Sequence, residues 1–240
     1  MSWLSDRRKA GSLAALKDDA KFMAKLISVV LAAGLAGAQE KKVPKVVPVP
    51  PLPPAKARAV PTEPTTPPAQ TVEDDKTHVA FHLPAGWNVS RVDGEVSTFR
   101  LDARSAPRRS ELRAAAGLNF NPFPQSTFSG ALFYLSVLPH STAAACAAET
   151  TVKPEKPLPS TVVGDVKFSR GKDEHGHICT ESRDVAYTAM RGGSCVRFDL
   201  AVNSFCGGEV SGAEDLTEAQ LGSLFKRLEG ILGTVEFRGK

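Results

Sequence analysis

The sequence predicts an α+β fold: one mainly antiparallel, twisted sheet with helices packed on it. Three observations carry this. Short apolar runs separated by turn residues recur from Val79 to Phe205, which is the patterning of strands. Arg191-Gly192-Gly193-Ser194 joins two long strand-like runs and reads as a tight hairpin, because Gly-Gly supplies the positive φ that two-residue turns demand. Thr217, with Gln220 three residues on, forms a capping box ahead of Leu221, Leu224, Phe225, Leu228, Ile231 and Leu232, one apolar face at the helical period.

The elements follow in order, and the first is an address. Leu26 to Ala38 (LISVVLAAGLAGA) is a run of 13 apolar or small residues without charge. A membrane-spanning helix needs about 20, so this run has the length of a signal-peptide core. Lys25 precedes it, Ala36-Gly37-Ala38 ends it in the A-x-A pattern of a cleavage site, and Gln39-Glu40-Lys41-Lys42 is abruptly polar. Residues 1–38 therefore read as an N-terminal extension and signal peptide, with translation starting at Met23 and cleavage near Ala38. The mature chain is then periplasmic or extracellular, with no integral membrane span. The other reading is a short amphipathic N-terminal helix in a cytosolic adaptor, which requires all 4 cysteines to be free thiols.

Val43 to Pro68 carries 10 prolines in 26 residues. Proline fixes φ and donates no backbone hydrogen bond, so neither helix nor sheet propagates. Residues 39–76 read as a proline-rich disordered spacer, extended at roughly 3.1 Å per residue.

The domain itself is read over 77–238. Val79–Leu83 and Trp87–Val89 are strands around the turn Pro84-Ala85-Gly86, and Val96–Leu101 is a third. Ala131–Leu138 (ALFYLSVL) is nearly continuous apolar sequence, a central strand buried on both faces. Ser141 or Thr142 caps a short helix around Cys146, ended before Pro154. Strands follow at Val162–Arg170, His177–Met190 and Ser194–Phe205. The capped helix then runs to Gly233, and Thr234–Phe237 closes the domain.

Phe81-His82-Leu83-Pro84-Ala85-Gly86-Trp87 resembles the F-x-L-P-x-G-W opening of PsbP/Mog1-like domains. The order of elements from Val79 to Phe237 is similar as well. The resemblance implies an α/β/α sandwich. It implies no shared activity, since members serve photosynthetic water oxidation, binding of a small GTPase and exported roles, and no catalytic residue carries over. Ser105–Gly130 is longer than the usual connection.

Composition narrows the function. Charged residues are 23% and apolar residues 42%, which excludes a wholly disordered chain, a collagen-like repeat and a polytopic membrane protein. Residues 76–240 hold 19 Lys/Arg against 18 Asp/Glu. That balance excludes a nucleic-acid binder relying on phosphate neutralisation. An even number of cysteines in an exported chain points to disulfides. If Gly192 and Gly193 form a two-residue turn, Arg191 faces Ser194, and counting outward sets Cys179 opposite Cys206. Cys195 and Cys206 lie too far apart along one strand to meet, which leaves Cys146 for Cys195.

Two clusters carry candidate chemistry. Asp173-Glu174-His175-Gly176-His177-Ile178-Cys179 gathers ligand-type residues, and a strand would set His175, His177 and Cys179 on one face, where imidazole and thiolate suit zinc or copper. The plainer reading is a polar hairpin turn bent at Gly176. Ser182 or Ser194 with His175 and Asp173 would compose a hydrolytic site, but no G-x-S-x-G elbow accompanies them. The second cluster carries Arg104, Arg108, Arg109 and Arg113, then Phe120, Phe123 and Phe128, a mixture of arginine and aromatics typical of interfaces. Its plainer reading is a solvated helix over Arg108–Ala116 with phenylalanines packed back on the sheet.

The expected function is an exported, non-enzymatic binding or accessory domain of the cell envelope. It needs no cofactor, and its partner is a protein or envelope component rather than nucleic acid. The alternative is a small envelope metal-binding protein or enzyme using His175 and His177.

Overall fold

A computed structural model describes residues 62–92, 94–96, 106–150, 158–207 and 212–239, with His177 described by its backbone alone. The leader read over 1–38, the first part of the proline-rich segment, most of the strand read at Val96–Leu101, and Arg104 lie outside the described residues.

Ten strands and two helices follow one another among the described residues. They are β1 (Gln70–Asp74), β2 (Val79–Leu83), β3 (Trp87–Ser90), β4 (Glu111–Leu118), β5 (Phe128–Leu138), α1 (Ala143–Ala148), β6 (Leu158–Val163), β7 (Val166–His177), β8 (Thr180–Arg191), β9 (Ser194–Phe205), α2 (Glu218–Leu232) and β10 (Glu236–Phe237). Seven strands pair in the order β3-β4-β5-β9-β8-β7-β6, and three in the order β1-β2-β10. All these pairings are antiparallel. The sheet dominates, so the layered α/β/α arrangement is met only loosely by α1 and α2.

The hairpin forms at the Gly-Gly turn. Gly192 and Gly193 have φ of 56° and 78°, which a residue with a side chain adopts only at a cost. Arg191 pairs with Ser194, and the register runs unbroken to Thr180 opposite Phe205. The disulfides are Cys146–Cys195 and Cys179–Cys206, with Cα atoms 5.4 and 4.4 Å apart, the pairing expected from that register.

Strand alternation then sorts the side chains. On one face Phe133, Leu135, Phe198, Leu200 and Val202 meet Leu221, Leu224 and Leu228 of α2 and Phe81 of β2. The capping box at Thr217 and Gln220 is present, and every apolar position predicted for α2 is buried or packed on this core. On the other face lie Tyr134, Ser136, Arg197, Asp199 and Thr188, all buried. Here α1 docks through its disulfide and a 2.7 Å hydrogen bond from Thr188 Oγ1 to the Cys146 carbonyl.

Four elements differ from the sequence reading. β1 begins at Gln70, inside the segment read as a disordered spacer over 39–76, because its backbone pairs with β2. Glu111–Leu118 is strand, not a solvated helix: Ala114, Ala115 and Ala116 are buried, and pairing with β5 overrides alanine's helical preference. The strand read at Val162–Arg170 is two strands folded at Gly164, whose φ is 61°. The bend placed at Gly176 falls instead at Ile178-Cys179, since Gly176 pairs in register with Glu181.

Gly171 marks the tightest approach. A Cβ there would stand 1.8 Å from the Thr150 carbonyl oxygen, a backbone atom that cannot swing aside. Gly171→Ala should therefore lower unfolding stability by about 3 kcal/mol, the upper part of the overpacking range. Urea titration checks this, and an unchanged midpoint would contradict it.

Candidate functional site

Among the described residues, the fold does not gather Arg108, Arg109 and Arg113 with Phe120, Phe123 and Phe128 into one patch. Arg108 and Arg109 are exposed in the turn before β4, and Arg109 pairs with Glu149 at the end of α1. Phe120 and Phe123 follow the far end of β4, half-buried against the core. The intervening strand is roughly 25 Å long. Phe120 also carries the Arg227 guanidinium at 5.9 Å.

The His175 cluster is brought together in part. His175 stands opposite Ser182 in the register, and Asp173 opposite Asp184. His175 Nδ1 lies 2.9 Å from Asp173 Oδ2. Ser182 is only 2% exposed, so its hydroxyl is out of reach of a substrate, and Ser194 is at the other end of β9. The sulfur of Cys179 is bonded to Cys206, so it offers no thiolate. The His177 side chain lies outside the described residues. Among the described residues no three His, Cys, Asp or Glu side chains are grouped to hold a metal ion.

The larger opening is elsewhere. A cleft of about 890 Å³ lies at the end of the sheet where the β1–β2 turn, the β8–β9 turn and the chain end beyond β10 meet. Val137 and Val196 supply apolar lining, and Lys76, Glu111, Asp165 and Arg191 bring charges of both signs. The Arg191 guanidinium stacks 4.7 Å above the Phe237 ring and donates to the Gly239 carbonyl at 2.8 Å. These residues are scattered over the chain, and only Arg191 and Ser194, at the hairpin corner, carried a local signal.

Arg113 also lines this cleft, and it is spoken for. It donates to buried Asp74 through Nη2 at 2.5 Å and Nε at 3.1 Å. Thr77 donates to the same carboxylate through Oγ1 at 2.6 Å and N at 3.0 Å, and Arg91 Nη1 adds a contact at 3.2 Å. Burial alone would raise the Asp74 pKa. The hydrogen bonds from Arg113 and Thr77 outweigh it and bring the pKa down from 3.8 to about 2.

A second, smaller cleft of about 370 Å³ lies at the opposite end of β8 and β9. Cys179 and Cys206 line it with Glu181, Arg183, Ser204 and Asp215. Arg183 pairs with Glu181 at 2.9 Å and reaches Ser204 Oγ at 3.4 Å.

No family model matches this chain, and no curated protein matches it. Solved structures do. Cyanobacterial PsbP from Synechocystis is similar at 11% identity and a TM-score of 0.39, over 71% of this chain and 92% of that one. The Ran-binding protein Mog1p of Saccharomyces cerevisiae is similar at 10% identity and 0.36, over 70% and 95%. A protein from Bacteroides thetaiotaomicron gives 10% and 0.41 over 71% of this chain, which spans only 48% of that one. Two of these three are a PsbP and a Mog1 protein, the group that the Phe81–Trp87 motif resembles.

The Asp74 geometry sets a pH dependence. A carboxylate with a depressed folded pKa stabilises above its unfolded pKa and loses that stabilisation as pH falls through the folded value. Acid titration of the protein should show about 2 kcal/mol lost between pH 4 and pH 2 from this group. Asp74→Asn should cost a similar amount at neutral pH, leaving Arg113 without its counter-charge, and should flatten that part of the acid profile. A variant with an unaltered profile would show the ion pair to be energetically idle.

Proposed function

We propose that this chain is an exported binding or accessory domain of the cell envelope. A leader over 1–38 is removed near Ala38, the proline-rich segment ahead of β1 tethers the domain, and the domain, which takes in β1 together with 77–238, presents the larger cleft to a partner. The two disulfides carry the reading, because such bridges persist in oxidising compartments and are rare in the reducing cytosol. Among the described residues, no helix is long and apolar enough to cross a membrane. The charges of both signs in the cleft, with the Phe237 ring beneath Arg191, favour a protein or envelope component carrying both signs of charge.

One observation favours a second reading, metal binding at His175 and His177. Asp173 engages Nδ1 of His175 and leaves Nε2 as the donor, the arrangement by which a carboxylate orients a metal-binding imidazole. Equimolar zinc or copper after purification without a histidine tag, lost in His175→Ala, would establish it.

Expression in the native host should yield a mature protein beginning at Gln39, recovered outside the cytosol and unreactive to alkylating reagents until reduced. Full-length chain in the cytosol with four reactive thiols would overturn the export reading. In crosslinking to native envelope, Arg191→Glu should abolish at least nine-tenths of the adduct formed by the wild type. Arg183→Glu, at the opposite end of β8 from the cleft, should leave it intact.

A further inference from the structure

We propose that Cys179–Cys206 is a thiol–disulfide exchange site, acted on in the folded protein by a dithiol reductant, while Cys146–Cys195 is a structural staple. The proposal rests on the export reading, and it is carried by the contrast between the two bridges. Cys146 is 1% exposed and Cys195 0%, sealed beside Leu138. Cys179 is exposed and Cys206 half-buried. Cys179 shares the two-residue tip of the β7–β8 hairpin with Ile178, which is 97% exposed. Both sulfur-bearing residues line the 370 Å³ cleft, so a small or extended thiol has somewhere to dock. Cys179 also holds a φ of 64°, in the left-handed region that a residue with a side chain enters at a cost.

Exchange needs an attacking thiolate in line with an accessible sulfur, and exposed bridges are the labile ones. Cys179 is the more exposed residue of the pair, and its sulfur is the one assigned to be attacked. A reductant thiolate attacks it, forming a new S–S bond as the Cys179–Cys206 bond breaks, and the electron pair leaves on Cys206 as thiolate. Arg183 is the cation of the cleft available to that thiolate. Glu181, its ion-pair partner, and Asp215 are the carboxylates facing the same space. The second thiol of the reductant then displaces Cys179. The protein ends as a dithiol, and the reductant, oxidised by two electrons, as a disulfide. A neutral dithiol enters this cleft without repulsion from Glu181 and Asp215.

The experiment titrates the native full-length protein with dithiothreitol, alkylates, and maps each cysteine by mass spectrometry. Cys179 and Cys206 should become labelled at a dithiothreitol concentration at least tenfold below that needed for Cys146 and Cys195, with the far-ultraviolet circular dichroism unchanged. Opening of both bridges together, or of Cys146–Cys195 first, overturns the proposal. With the monothiol 2-mercaptoethanol the trapped adduct should sit on Cys179, and an adduct on Cys206 instead overturns the assigned direction of attack. The two readings fail separately. Both bridges reduced in freshly harvested cells defeats export, whereas both oxidised there but opening together in the titration defeats only the exchange site.

Discussion

The two-residue turn at Gly192 and Gly193 is the constraint on which the rest of the structure depends. It fixes Arg191 opposite Ser194, and so fixes every pair between β8 and β9. Because side chains alternate along a strand, a slip of one residue would turn Phe198, Leu200 and Val202 away from α2 and bring Arg197 and Asp199 into their place. It would also separate Cys179 from Cys206. The positive φ at both glycines makes the correct register the low-energy one before either disulfide forms. The bridges lock a register that the turn has already chosen.

That register creates a sheet with unlike faces. One face is hydrocarbon and ring contacts, including Phe81 with Phe133 at 5.1 Å and Phe133 with Phe198 at 5.6 Å. The other holds Arg197 with neither its side chain nor that of Asp199 accessible, joined at 2.5 Å. Burial would lower the Arg197 pKa, but Asp199, Asp184 and Glu149 around it outweigh this and keep the pKa raised, so the guanidinium stays charged. Arg197 also donates through Nη1 to the Glu149 carbonyl at the end of α1. A buried ion pair is costly to desolvate and returns little net stability. Its effect here is one of position: α1 is held over the polar face by a charge, a hydroxyl and a disulfide, beside the small apolar cluster of Leu138 and Met190.

What the sequence disclosed follows from the range of the forces involved. The hairpin, the capping box, the apolar face of α2 and the buried strand Ala131–Leu138 are all written in neighbouring residues. The disulfide pairing was legible because it needed one turn and an arithmetic of alternation. β4 was not, because Arg113-Ala114-Ala115-Ala116 has local helical preference, and its strand state comes from β5, distant in sequence. β1 was hidden by the prolines before it. The larger cleft was invisible for the same reason, since Lys76, Glu111, Asp165 and Arg191 meet only after the two sheets are joined. In the cluster around His175 the sequence suggested a polar hairpin turn bent at Gly176, whereas Asp173 to His177 belong to β7, and it could not show that Ser182 would be buried or that the bend would pass to Ile178-Cys179.

The two ends of the sheet carry different duties. At one end the proline-rich segment comes in: the Pro67 carbonyl accepts from Gly86 N at 2.8 Å, the Thr66 carbonyl from Asn119 Nδ2 at 3.2 Å, and Glu63 pairs with Arg227. The exposed bridge Cys179–Cys206 follows the same ends of β8 and β9. At the other end lie the large cleft, the turn at Gly192, the buried bridge at Cys195 and the Asp74–Arg113 pair that joins the small sheet to the large one. β9 separates them by roughly 40 Å if straight, and somewhat less once twisted. The cleft lies at the end remote from that segment, with the buried Cys146–Cys195 bridge and the buried Asp74–Arg113 pair beside it. The exposed bridge lies at the other end of β8 and β9, so its opening leaves the walls of the cleft intact.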